Sequence, residues 1–270
     1  MSSLDIEKNT NVSTRTIISD INIEIDIEKV FTTLPFNERI SQYPCMIVAM
    51  YHKNLSKGDM SVFQQKKCTN SFRNAVNLIV RNEDKLINIK VSRHGNFQVT
   101  GCKNKNHCYL SIRYFIELCL RVCPDAIIQK GRNINIYFYT VMTNIVFNVN
   151  FNIDKKKLNS LILKHDNFYN LFETNFGYTG MNIKLPLGEN WNEFKIPYYS
   201  YSTTDRVWNN EMIQYQRKQT NGKQKFNTFL VFHSGKIIMS GMCEENMNDH
   251  FSFFRKFIED NRQEIEERII

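Results

Sequence analysis

The chain has 270 residues, 42% of them hydrophobic and 13% aromatic, with a formal net charge of +8. That composition excludes a disordered polymer, and the length allows one large domain or two of ordinary size, each with its own core. The positive balance favours a polyanionic partner such as nucleic acid. No apolar run approaches the roughly 18–20 residues of a membrane span, and the polar start lacks a signal-peptide core. The cysteines (Cys45, Cys68, Cys102, Cys108, Cys119, Cys123 and Cys243) are odd in number, scattered and without a CxxC, which points to buried thiols in a reducing compartment. The histidines, among them His52, His107 and His165, do not cluster, so neither a zinc centre nor another cofactor is expected.

In chain order, residues 1 to about 14 read as a flexible arm. Residues 16–27 alternate Ile21, Ile23, Ile25 and Ile27 with polar Asn22, Glu24 and Asp26, the period of a half-buried strand. A short helix from Ile27 stops near Pro35. Residues 37–71 read as an insert, with a strand candidate at 46–52 and a turn at NLSKGDMS. Strands follow at 74–80, 86–92 and 96–101, then a helix over 105–122 that carries Ile112, Phe115, Ile116 and Cys119 at helical spacing and ends at Pro124. Residues 133–153 predict one long strand or two. Asp154 is a candidate helix cap. Strands are expected at 177–187, 227–234 and 236–241, and a closing helix at 244–267 with Met247, Phe251, Phe254 and Ile258 on one face. Residues 188–225 form a long polar and aromatic insert holding Trp191 and Trp208. A loop of that length is usually functional or flexible. Its Lys195, Arg206, Arg217, Lys218, Lys223 and Lys225 suit phosphate contacts. Trp191, Tyr198, Tyr199 and Trp208 suit a protein anchor.

Two stretches repeat one pattern: strand, glycine turn, strand, second glycine, polar cap and amphipathic helix, from Val91 and again from Val231. Gly95 and Gly101 recur as Gly235 and Gly241, 140 positions on in both cases. Two copies are too few for a solenoid and imply a pseudo-twofold molecule. Each copy predicts helices over one face of an antiparallel sheet with the other face free.

HDNFYNLFETNFGYTGMNIKLPL (165–187), TFLVFHSGKIIMSG (228–241), LINIKVSRHGNFQVTG (86–101), TNIVFNVNF (143–151) and TIISDINIEI (16–25), taken in chain order across the two repeats, resemble segments of the TATA-box-binding protein family. The resemblance implies an α+β fold: two pseudo-symmetric repeats (15–128 and 129–270) forming a saddle, a curved antiparallel sheet with helices on the convex face. It implies a general transcription initiation factor, not an enzyme. Such a factor binds the minor groove of A/T-rich promoter DNA and kinks it with inserted phenylalanines, a behaviour for which this family is a standard case. Carried over by position, Phe176 and Phe232 fill the wedge sites of the second repeat, while Ala75 (or Phe72) and Ser92 stand in the first. Asn144 matches a central asparagine and Thr16 replaces its counterpart. Thr100 and Ser240 flank that centre, Ile18, Val146 and Ile238 suit the groove floor, and Gln98 departs from the pattern. Partners implied are a factor IIB-like initiation factor and the RNA polymerase machinery, in a nucleus or, for a large DNA virus, a cytoplasmic viral factory. The Asn-, Ile- and Lys-heavy vocabulary hints at an A·T-rich protist or viral genome.

Each site residue has a structural alternative: a sheet-core residue for Phe232, a turn for Phe176, Asn144, Thr100 and Ser240, a solvated face for Lys103, Lys105, Lys236, Arg255 and Lys256. The degenerate first-repeat positions also fit a protein-interaction scaffold in an initiation complex with weak or lost DNA binding. Asp84, Asp154 and Asp205 are isolated and read as surface or capping groups, and no P-loop, GxSxG or metal-spaced carboxylate set points to catalysis.

Overall fold

The structure, a computed structural model, describes residues 11–36, 44–51, 55–62, 74–171, 180–189, 191–217, 224–242 and 244–267. The elements run β1 (Asn11–Ile21), β2 (Ile23–Ile25), α1 (Ile27–Thr33), β3 (Cys45–Tyr51), β4 (Leu55–Gly58), a 3-10 turn at Met60–Val62, β5 (Ala75–Asn82), β6 (Lys85–Ser92), β7 (Asn96–Cys102) and α2 (Lys105–Val122). They continue with β8 (Ile127–Gln129), β9 (Asn133–Asn148), α3 (Lys155–Ile162), β10 (Tyr169–Leu171), β11 (Gly180–Pro186), β12 (Glu193–Ser202), β13 (Val207–Gln216), β14 (Phe226–Phe232), β15 (Lys236–Gly241), α4 (Glu244–Asp260) and α5 (Arg262–Ile265). The architecture is α+β with antiparallel strand pairing. Two compact units divide it: a first of residues 14–140 with 195–214, and a second of 141–194 with 215–270 and the segment ending at Ser13.

In the first unit the strand order is β1-β7-β6-β5-β3-β4, and β2 pairs with β8 in a small separate sheet. Alternation sends Ile17, Ile87, Ile89, Val91, Phe97 and Val99 to one face, where they form one core with Ile112, Phe115, Ile116 and Cys119 of α2. Phe97 meets Phe115 edge to face at 5.4 Å. Asn104 caps α2 by accepting the His107 N–H at 2.9 Å, and the helix ends at Cys123, ahead of Pro124. The cysteines Cys102, Cys108, Cys119 and Cys123 are free and buried. Burial pushes the Cys108 and Cys119 thiols up, away from the reactive thiolate. Cys68, Cys243 and His52 lie outside the described residues.

The second unit repeats the plan with β10-β11-β14-β15 and the second half of β9. Ile145, Met181, Ile183, Phe229, Val231, Ile237 and Met239 face Met247, Phe251, Phe254 and Ile258 of α4 in one core. Phe229 and Phe254 stack at 4.0 Å. Asp154 caps α3 by accepting the N–H groups of Lys156 and Lys157, as Asp26 caps α1 through Lys29.

Backbone geometry establishes the equivalence of the two repeats. Ile21 N–H donates to Gly95 O at 3.0 Å and Ile25 N–H to Arg93 O at 2.8 Å; Val149 N–H donates to Gly235 O at 2.9 Å and Ile153 N–H to His233 O at 2.8 Å. Asp26 N–H reaches Ala126 O, and Asp154 N–H reaches Ile265 O. Gly95 and Gly235 have φ of 78° and 77°, a left-handed turn open to glycine. A Cβ at Gly95 would collide with the carbonyl oxygens of Ile21 and Ile23, and one at Gly235 with the equivalent pair, Val149 and Phe151.

Several expectations need correction. The strand begins at Asn11, so four residues of the expected arm are ordered in β1; residues 1–10 lie outside the description. NLSKGDMS holds a strand, β4, paired with β3 through its backbone; its mostly exposed side chains carry no alternation to read. The closing helix stops at Asp260, because the Asn261 side chain donates to the Phe257 carbonyl at 2.8 Å and the chain restarts as α5. The long insert is no loop. Its residues 193–216 form the β12–β13 hairpin, whose Tyr198–Ser202 pairs with Tyr137–Asn133 of β9. Tyr199 packs on Tyr109 and Phe138 at 5.3 and 5.4 Å. Trp208 lies against Tyr201, receives the Arg113 guanidinium at 5.1 Å, and donates its ring N–H to Glu117 at 2.6 Å. Tyr199 and Trp208 therefore anchor the hairpin to its own unit.

Two outcomes check this account. Gly95→Ala and Gly235→Ala should each cost roughly 1–3 kcal/mol from the strained turn, read as a lower denaturant midpoint; an unaffected midpoint for either would break their equivalence. Trp208→Ala should also lower the midpoint, by about 1–3 kcal/mol for a partly buried aromatic, with a matching loss of the fluorescence change on unfolding.

Candidate nucleic-acid interface

The same alternation that fills each core aims every second side chain at the other sheet face. In the second unit, strand register lines these residues up in rows. One row runs Val146, Ile238, Leu230 and Asn182; its neighbour runs Asn144, Ser240, Thr228 and Lys184. Beyond the first row Phe232 pairs with Gly180. All ten are half-buried, whereas Phe229, Val231, Ile237 and Met239 between them are fully buried in the core. Phe232 is thus not a core residue but a face residue. Its ring and Leu230 lie over Gly180, where a Cβ would come within 2.7 Å of Leu230 and 3.4 Å of Phe232. Glycine is there for space.

Polar groups on this face are only partly committed. Ser240 Oγ donates to Asn144 Oδ1 at 2.7 Å. The Asn144 amide nitrogen has no protein partner among the described residues, which leaves a fixed hydrogen-bond donor beside an aliphatic row. Asn144 belongs to the middle of a strand and Ser240 to the strand paired with it, so neither is a turn residue.

The first unit presents equivalent rows with different chemistry. Ile18, Gln98, Lys90 and Asn77 form one; Thr16, Thr100, Asn88 and Ile79 form the next. Ser92 pairs with Ala75 at the place where Phe232 pairs with Gly180. Leu230 is answered by Lys90, Ile238 by Gln98, Phe232 by Ser92. Thr16 is buried, Thr100 and Ile18 are half-buried, and Gln98 and Asn88 are exposed. Ile79 is covered by Ile47, Val48 and Val62, so the outer strands shield that end of the face. Burial lowers the Lys90 ammonium pKa below its ordinary value.

Ala75, which stands opposite Ser92, answers Gly180 in the register. Phe176 and Phe72, named for the wedge sites, lie outside the described residues. Sequence reasoning missed Leu230, Thr228, Lys184, Lys90 and Asn88 on these faces. The alternation in NTFLVF already held the signal, since Thr228, Leu230 and Phe232 share a parity opposite to buried Phe229 and Val231.

On α4, Arg255 pairs with Glu259 at 2.9 Å. Asp154 is a cap and Asp205 belongs to the hairpin turn, accepting from Ser202 at 2.7 Å. Among the described residues no group of three or more His, Cys, Asp or Glu side chains is placed to hold a metal ion, and no helix is long and apolar enough to cross a membrane.

The chain matches no protein-family profile. It is similar to the uncharacterized protein 335L of Invertebrate iridescent virus 6, with 24% identity over 210 residues, 72% of this chain. The match takes in 62% of that relative's length, less than two thirds of it. Among solved structures it is similar to Methanococcus jannaschii TBP, with a TM-score of 0.49 and 14% identity over 93% of this chain and 98% of that one.

Proposed function

We propose that this protein is a TATA-binding-protein-like initiation factor that lays its open sheet faces on the minor groove of A/T-rich duplex DNA. The observation that carries this is the second unit's face: an aliphatic row of Val146, Ile238 and Leu230, bordered on one side by the Asn144 amide donor and on the other by Phe232. A·T and T·A pairs show only acceptors in the minor groove, so a donor beside small aliphatic side chains reads A·T content and tolerates its order. Phe232, with Phe176 as its partner, acts as a wedge that opens a base step and bends the duplex, most cheaply at pyrimidine–purine steps. The net charge of +8 supports attraction to phosphate. The two repeats, 15–128 and 129–270, each supply one face, and the helical sides recruit a factor IIB-like protein and the polymerase machinery. A large DNA virus as source fits the similarity to an iridescent virus protein and puts the work in a nucleus or a cytoplasmic viral factory.

A second reading, a scaffold that has lost DNA binding, is favoured by Lys90, Gln98 and Ser92 on the first unit's face. Titration of labelled A/T-rich duplex at several salt concentrations separates the two. A binder loses affinity steeply as salt rises; a scaffold binds no duplex at any salt.

Stacking on a base is worth about 1–3 kcal/mol, so Phe232→Ala should weaken binding about tenfold or more and reduce the bend measured by energy transfer between duplex ends. Ser92→Ala should change neither. Asn144→Asp replaces the donor with an anion and should weaken binding at least as much as Phe232→Ala. Equal and negligible effects of all three would end the minor-groove reading.

A further inference from the structure

The two faces differ most where guanine differs from adenine. In the minor groove a G·C pair adds one feature, the guanine N2 amino group, a donor that protrudes from the groove floor. Against Val146, Ile238 and Leu230 that amino group meets only hydrocarbon. Asn182, at the end of the row, has its side-chain oxygen shut off from solvent. An amino group buried against these three side chains loses its water and gains no acceptor from them. The equivalent row of the first unit is Ile18, Gln98, Lys90 and Asn77, with Asn88 alongside. Gln98 and Asn88 are exposed and have no protein partner among the described residues, and each carboxamide carries an acceptor as well as donors. A guanine amino group is satisfied on that face.

We infer that the protein reads an asymmetric site: the second unit's face demands A·T pairs, and the first unit's face accepts G·C. This rests on the minor-groove reading above. Gln98, with Asn88 alongside, is the specificity-determining group, and Ile238 is the exclusionary counterpart of Gln98, with Leu230 next to it in place of Lys90.

The asymmetry is tested with a symmetric A·T duplex, which the protein can enter in either orientation. Placing G·C pairs in one half should cost only about twofold, the statistical loss of one of two orientations. Placing them in both halves should cost about tenfold or more, the usual penalty of a mismatched pair. Inosine·C in both halves should restore binding, because inosine lacks the N2 amino group. In the double variant Gln98→Ile, Lys90→Leu, checked for an unchanged thermal midpoint, G·C in one half alone should cost the full tenfold. The unmodified protein's duplex series decides the matter should that variant fail to fold. Full loss from one substituted half, or no loss from two, overturns the inference while leaving DNA binding intact; so does a loss that inosine does not restore. Failure to bind any duplex overturns the minor-groove reading itself, and the inference with it.

Discussion

Everything on the sheet faces depends on a backbone clasp that occurs once in each unit. A left-handed glycine turn offers its carbonyl to the N–H at the end of the strand that opens the repeat, and the carbonyl two residues earlier takes a second N–H four residues further along the chain. Those two hydrogen bonds set the register of the first strand against the closing hairpin. Register then decides parity, because a slip of one residue would exchange every core side chain for a face side chain. The clasp also delivers the chain to Asp26 or Asp154 at the angle that caps the next helix. A side chain on the glycine would press on the carbonyls of the facing segment, Ile21 and Ile23 in one unit and Val149 and Phe151 in the other, and force apart the two backbones that the clasp joins, so the turn, the register and the cap stand or fall together.

With that frame shared, the two units diverge in a simple way. Core positions on the sheets are filled by interchangeable hydrocarbon, and Ile112, Phe115 and Cys119 of one helix answer Phe251, Phe254 and Ile258 of the other. Face positions are not interchangeable. Aliphatic and aromatic groups in the second unit face carboxamide, ammonium and hydroxyl groups at the same places in the first. Packing constrains one side of each sheet; the other is left to whatever touches it.

Much of this was legible in the sequence because it follows from short-range pattern. Period-two isoleucines, the helical spacing of Phe251 and Phe254, Asp154 before a lysine run and the paired glycines all state their structure locally. What escaped was set by partners distant in the chain. β4 exists because β3 offers an edge, and LSKG has no pattern of its own. The β12–β13 hairpin is fixed by β9 and α2, so its aromatic residues read as a surface anchor until Tyr109, Phe138 and Arg113 are seen beside them. At the site, Asn144, Val146, Ile238 and Ser240 were reachable through the resemblance. Leu230 shares the parity of Thr228 and Phe232 in the sequence, but matching it to Lys90 needed the strand register.

The hairpin also makes the first unit discontinuous, since residues 195–214 join a body otherwise built from 14–140. A ribosome finishes the first repeat long before it makes the strand that covers Phe138 and Tyr109. During that interval the outer edge of β9 is unpaired, and open strand edges are what chains aggregate through. The late contacts raise the contact order and slow folding accordingly. Neither half of the gene, expressed alone, encodes a finished unit.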